Sequence, residues 1–266
     1  MTHMHIVPTM FHRLLKLPES VRARPDLSSL VDVVHGAAPC PSAVKKAMID
    51  WRGPVTSEYY GSTETALVAR ATSREALAHP GTVGRALPGC ELVIVGPHKE
   101  RLPAGAVGEI FVRNDNIPNF SYHGDRQKRA DIELDGFVTA GDVGFLDSDG
   151  YLYLSDRKKE MIISAGVNIY PAEIEAAIMA LPGVKDCAVS GGPDEEFGER
   201  VIAHIELEVG SKLDTPTVIE RLSATLARYK LPKTIEFSDA LPREDSGKIF
   251  KRRLREGCWK SAGRNI

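Results

Sequence analysis

The sequence predicts a mixed α/β and α+β fold arranged in two domains. Helical and strand-like patterns alternate along the chain without an internal repeat, and the pattern changes near Asp156. Before Asp156, short strands separated by glycine- and proline-containing turns dominate. After it comes a β-α-β-β-α-β-like series of about a hundred residues, a common size for a small domain. We therefore expect one domain over residues 1–155 and a second over residues 156–266.

Apolar spacing and turn residues predict the elements of the first domain in order. They predict helices over 9–17 and 41–51, and strands over 30–35 and 55–60, followed by the strand-like runs ELVIV and GEIFV within 88–115. Pro41 suits the first turn of its helix, where a missing N–H costs nothing. The turn Asp147-Ser148-Asp149-Gly150 lies between two apolar runs and predicts a hairpin.

The same patterns predict the elements of the second domain. They favour strands over 184–190 and 201–209, and helices over 171–180, 215–228 and from residue 249 to about 258. Pro171 and Glu173 suit a first helical turn. The backbone N–H groups of this turn have no partner within the helix, so proline loses nothing there, and the helix dipole favours a carboxylate.

Composition and charge exclude several classes of protein. Of 266 residues, 42% are hydrophobic and 26% charged, as in globular proteins, and 34 basic against 36 acidic residues argue against a dedicated nucleic-acid binder. No run approaches the roughly 18 apolar residues of a membrane span. The start shows no secretory leader, and four scattered cysteines suit a reducing compartment. We therefore expect a cytoplasmic protein without a transmembrane segment and without a nucleic-acid partner.

Two motifs of the first domain carry chemistry that suits a nucleotide. In Tyr59-Tyr60-Gly61-Ser62-Thr63-Glu64-Thr65, the aromatic ring could stack on a base, the hydroxyls could bond phosphate oxygens and the carboxylate could hold Mg²⁺. In Thr139-Ala140-Gly141-Asp142, the aspartate at a strand start could accept hydrogen bonds from both ribose hydroxyls. Taken singly, each motif could equally be a plain turn.

Three stretches of the second domain leave similar alternatives. The run Ser155-Asp156-Arg157-Lys158-Lys159 is either a solvated turn or a hinge that brings Arg157 to a ligand. The small-residue segment 163–167, read as a loop opening the next helix, would let a ligand approach the backbone. Lys248, next to a glycine, is either a point charge delivered to a phosphate or part of an exposed basic terminus.

The order of these motifs is far more specific than any one of them. HGAAP, YGSTE, T-x-GD, DRKKEMI with NIYPAEIE, and PREDSGKIFKRRLR follow one another along essentially all of the chain. In this order the sequence resembles the C-terminal half of the AMP-forming acid–CoA ligases of the adenylate-forming superfamily, most of all the fatty-acid and bile-acid branch. The fold is then expected to be a remnant of the large domain followed by a small mobile lid.

The resemblance implies roles for residues of the first domain. Gly36, Ala37 and Ala38 would wall the adenine pocket, and Tyr60 would stack on the adenine. Asp142 would bind the ribose.

The resemblance also implies contacts with the phosphate, with the metal and, from a further residue, with the ribose. Thr63 would meet the phosphate, and Glu64 would act in catalysis by holding Mg²⁺. Arg157 would support the ribose.

The second domain would use one of its faces for adenylation and another for transfer to coenzyme A. Asp156 would be the hinge, and Lys248 would bridge the carboxylate and the α-phosphate during adenylation. The segment 163–167, with Ser164 and Gly166, and Glu173 would replace that lysine when coenzyme A attacks. Ala165 departs from the family, which usually has paired glycines here.

The implied reaction has two steps. A carboxylic acid, by preference a fatty acid, first reacts with ATP to give an acyl-adenylate. The acyl group is then transferred to coenzyme A, and AMP is released. Nothing in residues 1–35 matches the family's Ser/Thr/Gly-rich phosphate loop. We therefore expect roughly one or two domains' worth of further chain before Met1 in a full-length member.

Two hypotheses of function follow. The chain is part of a ligase that is weak or inactive alone, or it is a non-catalytic nucleotide- or CoA-binding module or half of a split enzyme. We further expect exposed apolar surface in residues 1–135, self-association of the chain, and a second domain that folds independently.

Overall fold

A computed structural model describes residues 1–157, 159–244 and 248–261, and for residues 9, 156, 157, 260 and 261 it describes the backbone alone. The chain divides into two compact units, Met1–Ser155 and Asp156–Ile266.

The first unit combines a large sheet with short helices. Its strands are β1 His3–Ile6, β2 Asp32–His35, β3 Thr56–Ser62, β4 Ala66–Thr72, β5 Thr82–Ala86, β6 Cys90–Val95, β7 Gly108–Asn114, β8 Glu133–Leu134, β9 Phe137–Leu146 and β10 Tyr151–Arg157. Its helices are α1 Pro8–Leu15, α2 Glu19–Arg22, α3 Ser42–Arg52, α4 Ser73–Ala78 and α5 Arg126–Asp131.

These strands form one sheet in the order β1-β2-β3-β4-β5-β10-β9-β7-β6, with β8 paired to β9. The first three strands run parallel, and α3 supplies the crossover from β2 to β3. From β3 onward, the pairs β3–β4, β4–β5 and β6–β7 are antiparallel. The predicted mixed fold is therefore confirmed, and the sheet of the first unit is parallel at one edge and antiparallel from β3 onward.

Three apolar clusters hold the first unit together. One lies where α1 and α3 cover the parallel strands, and its buried members are Ile6, Phe11, Leu30, Val33 and Met48. The largest lies on the antiparallel strands, and its buried members are Tyr60, Val68, Ala69, Val83, Leu92, Ile94, Ile110, Val112 and Leu152. The smallest has the buried members Val95, Phe111 and Phe137. Burial of these side chains is the dominant stabilising contribution, at about 1.5–3 kcal/mol for each large one.

The second unit is a smaller α+β body. Its elements are β11 Ile162–Ser164, β12 Val167–Ile169, α6 Pro171–Met179, β13 Val184–Asp194, β14 Gly198–Leu207, α7 Thr215–Ser223, β15 Thr234–Ser238 and α8 Lys251–Ser261. The sheet order is β12-β11-β14-β13, and β15 pairs in parallel with β14. Ile174 and Ile178 of α6 and Val218 and Leu222 of α7 are buried in its core.

Two predicted elements of the second unit differ from the structure. The helix predicted over 215–228 ends at Ser223, and a separate turn of 3-10 helix spans Arg228–Lys230. The segment 163–167 is not a loop that opens a helix. It is the turn of the antiparallel hairpin β11–β12, because Ala165 and Gly166 both have positive φ, 50° and 77°.

Candidate functional site

Tyr60 and Asp142 lie in contact in the first unit. The Tyr60 hydroxyl donates a hydrogen bond to Oδ2 of Asp142 at 2.8 Å, and Tyr60 is 8% exposed. Asp142 is half-buried within β9, not at a strand start as predicted. Between Thr139 and Val143, β9 has three residues where β7 has one, so a bulge carries Asp142. The structure thus brings together two of the residues singled out in the sequence.

The segment after Tyr60 is a tight turn between β3 and β4. Gly61 has no room for a side chain, because a Cβ there would lie 1.9 Å from the carbonyl oxygen of Ala66. The amide of Ser62 donates to Oγ1 of Thr65 at 3.0 Å, and Nδ2 of Asn114 donates to the Thr65 carbonyl at 2.9 Å. Thr63 is exposed at the tip of this turn. The turn therefore presents Thr63 and Glu64 to the surface on a locked backbone.

Glu64 is held by an aromatic and cationic group from a distant segment. The Tyr122 hydroxyl donates to Oε1 of Glu64 at 2.9 Å, and Nζ of Lys128 lies 4.0 Å from the centre of the Tyr122 ring. Burial opposes ionisation of Glu64, but hydrogen bonds from its own backbone, Tyr122 and Ser62, with the charge of Lys128, leave its pKa lowered. Glu64 is accordingly a carboxylate at neutral pH.

Gly36 lies against the ring of Tyr59. A Cβ on Gly36 would meet Tyr59 Cε1 at 2.6 Å, so the ring packs directly on the glycine. Nε2 of His5 lies 3.1 Å from the Tyr59 hydroxyl. After Gly36, Ala37 is exposed with φ of 65°, and Ala38 is half-buried. These residues and β3 are brought side by side because β2 pairs in parallel with β3.

The second unit holds the remaining predicted residues. Ser164 ends β11, and exposed Gly166 lies in the hairpin turn. Glu173 in the first turn of α6 pairs with Lys230, whose Nζ lies 2.6 Å from its Oε2. Lys248 is exposed, and its carbonyl accepts a hydrogen bond from the amide of Glu244 at 2.9 Å. The side chains of Asp156 and Arg157 lie outside the described part of the chain, which includes their backbone in β10.

Sequence reasoning missed Tyr59, Asn114 and Tyr122 as neighbours of the site. The contact of Tyr122 with Glu64 joins residues 58 positions apart in the chain, and the contact of Asn114 with Thr65 joins residues 49 positions apart. Tyr59 stood in the motif, but its packing on Gly36 depends on the pairing of two strands. No spacing rule would have found these contacts.

Among residues 1–157, 159–244 and 248–261, no cluster of three His, Cys, Asp or Glu side chains could hold a metal ion. Within the same residues, no helix has the length and apolar content that a bilayer crossing requires.

Comparison with known families matches both parts of the chain. The family described as AMP-binding enzyme matches residues 1–119, and the family described as AMP-binding enzyme C-terminal domain matches residues 173–248. The chain is 40% identical over 252 residues to an indoleacetate–CoA ligase of Aromatoleum aromaticum, covering 94% of this chain and 49% of that protein. It is 35% identical to a long-chain-fatty-acid–CoA ligase of Bacillus subtilis, covering 94% of this chain and 44% of that protein.

Solved structures of related enzymes also match this chain. The amide bond synthetase McbA of Marinactinospora thermotolerans superposes with a TM-score of 0.87 at 32% identity, covering 95% of this chain and 52% of that one. ATP-bound MatB of Rhodopseudomonas palustris superposes with a TM-score of 0.87 at 34% identity, covering 96% and 50%. The chain therefore spans about half the length of the proteins that it matches.

Proposed function

We propose, from the premise that this chain is homologous over most of its length to the AMP-forming acid–CoA ligases, that it contributes to ATP-dependent activation of a carboxylic acid and transfer of the acyl group to coenzyme A. The observation that carries the proposal is the contact of Tyr60 with Asp142, two residues implied to hold one AMP moiety. An aromatic ring and a carboxylate at this spacing suit an adenine and a ribose.

In the proposed first step, the carboxylate of the acid attacks the α-phosphorus of ATP and pyrophosphate leaves. Thr63 would donate its hydroxyl to a phosphate oxygen, and the Lys248 ammonium would stabilise the negative charge that grows on the α-phosphate and the acid. Loss of one preorganised donor of this kind typically costs about 10²–10³ in rate. In the second step the thiol of coenzyme A displaces AMP, with Ser164, Gly166 and Glu173 on the face that would then meet it.

Glu64 fits a magnesium ion shared with the substrate. Its lowered pKa keeps it ionised, and Mg²⁺ is usually bound by one or two carboxylates together with phosphate oxygens. Bound there, Mg²⁺ would neutralise phosphate charge. Tyr122 would orient the carboxylate, because its hydroxyl already occupies one of the two oxygens.

For the acid we propose a fatty acid, with an aromatic acid as the second candidate. Residues 65–68, which follow Glu64, offer little surface to an apolar acid, because Val68 is fully buried in the core and the Thr65 hydroxyl is used in the turn. Leu67, 42% exposed, is the apolar side chain that remains available. The aromatic candidate rests on the 40% identity to an indoleacetate–CoA ligase.

Binding of AMP tests the nucleotide site. We expect calorimetry to show AMP binding that Asp142→Asn weakens by about tenfold, roughly the value of one lost hydrogen bond to a charged group. Asp149→Asn, in the exposed turn before β10, is the matched control and should leave the affinity unchanged. Equal affinities for the two variants would contradict the proposal.

Pyrophosphate release tests the reaction and separates the two hypotheses. The chain is incubated with ATP, Mg²⁺ and either decanoate or indoleacetate. Because the chain spans about half of its relatives, we expect AMP binding with slow turnover or none. Slow turnover that Lys248→Gln abolishes would favour the first hypothesis, part of a ligase, and AMP binding with no turnover at all would favour a non-catalytic binding module or half of a split enzyme.

A further inference from the structure

A buried ion pair lies between α3 and the sheet of the first unit. The side chains of Lys45 on α3 and Glu58 on β3 are 6% and 4% exposed, and Nζ of Lys45 donates a hydrogen bond to Oε2 of Glu58. The same Nζ donates to the carbonyl of Thr82 on β5 at 3.0 Å. Removing two charges from water is costly, and apolar side chains of similar volume often stabilise such a place at least as well. Stability alone therefore does not account for the ion pair.

The pair lies near both ends of the segment 36–38, which the resemblance implies to wall the adenine. Glu58 is the partner of His35, the last residue of β2, in the parallel pair β2–β3. Burial and then the charge of Lys45 lower the pKa of His35 to about 3. Beyond the segment, burial and then the charge of Glu58 raise the pKa of Cys40 to about 12, although Lys45 opposes the rise. Residues on either side of the segment therefore lie close enough to feel the charges of the pair.

The backbone of the segment 36–38 depends on its surroundings for its shape. Ala37 has φ of 65°, in the left-handed region that an L-residue rarely adopts. A Cβ on Gly36 would lie 2.6 Å from Cε1 of Tyr59, so the ring of Tyr59 limits the segment from one side. Such a conformation persists only where neighbouring contacts determine it. Contacts that hold the residues on either side of the segment therefore help to fix its position.

The same ion pair is linked to the strand that carries Tyr60. Side chains of a strand alternate between its two faces, so Glu58 and Tyr60, two residues apart on β3, lie on the same face. Both are buried, at 3% and 8% exposure. Lys45 thus ties α3 to the part of β3 that comes directly before the ring implied to stack on the adenine. The pair is shared by the two elements implied to form the adenine pocket, the segment 36–38 and the ring of Tyr60.

We infer that Lys45 and Glu58 are positioning residues for the adenine pocket: by joining α3, β3 and β5, they fix the segment 36–38 relative to the ring of Tyr60. This inference rests on the proposed function, in which that segment and that ring hold the adenine of AMP. The ion pair should therefore matter for AMP affinity beyond its contribution to stability.

A double variant separates positioning from stability. Lys45→Met and Glu58→Leu each leave a buried polar group without its main partner, so each alone should lower the free energy of unfolding. Lys45→Met combined with Glu58→Leu leaves no buried charge in this place, and its free energy of unfolding in denaturant should return to near that of the wild type. Its affinity for AMP, measured by calorimetry, should nevertheless be about tenfold lower, because apolar contacts do not hold the two elements of the pocket in one arrangement.

Two further variants complete the experiment. Glu58→Gln keeps the shape and an acceptor for Lys45, so its AMP affinity should fall by only about threefold. The exposed pair Lys46–Asp50 on the same helix is the matched control, with side chains 64% and 59% exposed. Lys46→Met combined with Asp50→Leu should leave AMP affinity unchanged.

Wild-type AMP affinity in a double variant of wild-type stability would overturn the inference, since the pair would then be a structural contact alone. If the double variant is not folded, Glu58→Gln decides: a loss of about threefold supports positioning, and wild-type affinity overturns it. Failure of the proposed function gives a different result: the wild-type protein itself would then bind no AMP, and the inference would fall with it.

Discussion

The hydroxyl of Tyr60 donates to Oδ2 of Asp142 at 2.8 Å, although their strands, β3 and β9, are separated in the sheet by β4, β5 and β10. In a flat sheet four strand spacings would place them about 19 Å apart, beyond the reach of both side chains. The sheet must therefore curl enough to bring its distant strands face to face, as strand twist and bulges allow. This curvature creates the candidate AMP site.

A double-mutant cycle should show that these two side chains are coupled. Tyr60→Phe removes one buried hydrogen bond and should lower the free energy of unfolding by about 1 kcal/mol. With Asp142→Asn, the coupling should be about 0.5–1.5 kcal/mol, measured by denaturant unfolding of the four proteins. Tyr60→Phe should leave AMP affinity nearly unchanged, because the ring that stacks is kept. Strictly additive losses would show that the bond does not stabilise the folded protein.

Gly61→Ala should disrupt the turn that carries Thr63 and Glu64. The new Cβ would collide with the backbone carbonyl of Ala66, and backbone cannot move aside as a side chain can. We expect a loss of more than about 2 kcal/mol in unfolding free energy. Gly257→Ala, on α8 with open space around it, should stabilise by about 0.5–1 kcal/mol through helix propensity. A melting temperature of Gly61→Ala equal to wild type would contradict this reading of the turn.

Ala165→Gly should relieve strain in the β11–β12 hairpin. Ala165 has φ of 50°, in the left-handed region that costs an L-residue roughly 1 kcal/mol relative to glycine. Because added flexibility of the unfolded chain offsets part of this gain, we expect stabilisation of up to about 1 kcal/mol. Ala180→Gly, at the right-handed end of α6, is the control and should destabilise. If Ala165→Gly destabilises as much as the control, the turn is not strained.

Acid should destabilise the first unit through His35. His35 is 1% exposed and its ring packs on Phe11; burial first, and then the charge of Lys45, lowers its pKa from 6.5 to about 3. Between these values the unfolded chain binds a proton that the folded chain does not. Stability should therefore fall as pH drops below about 6.5, by at most ~1.4 kcal/mol per pH unit.

Replacing the titrating ring tests this assignment. Denaturant unfolding from pH 7.5 to 4.5 should show a shallower pH dependence for His35→Leu than for wild type. His98→Gln, at an exposed histidine, should keep the wild-type slope. The same slope in His35→Leu would assign the acid sensitivity to other groups.

Residues 156–266 should fold when expressed alone, because this unit has its own sheet and its own buried core. We expect a cooperative thermal transition for the fragment. Limited proteolysis of the whole chain should cut near residues 156–159 and leave the C-terminal piece intact. Early degradation of that piece, or a fragment without a cooperative transition, would contradict this prediction.

Local elements of this protein were predictable because their determinants lie within a few residues. The helices α3 and α6 start at or next to Pro41 and Pro171, and the hairpin β6–β7 follows from two apolar runs around a glycine-rich loop. Strand β4 was missed. Its residues Ala66–Thr72 do not alternate cleanly, because Val68 and Ala69 are both fully buried.

By itself, the sequence determined the family, through five motifs in a fixed order, and the residue types that suit an adenylate. Only the tertiary structure decided which of them meet. The partner of Glu64 is Tyr122, and the partners of Lys45 include the Thr82 carbonyl, 37 positions away. Such contacts depend on strand order, bulges and sheet curvature. These are properties of the whole sheet, and they arise from many weak interactions summed over the fold, so no local pattern encodes them.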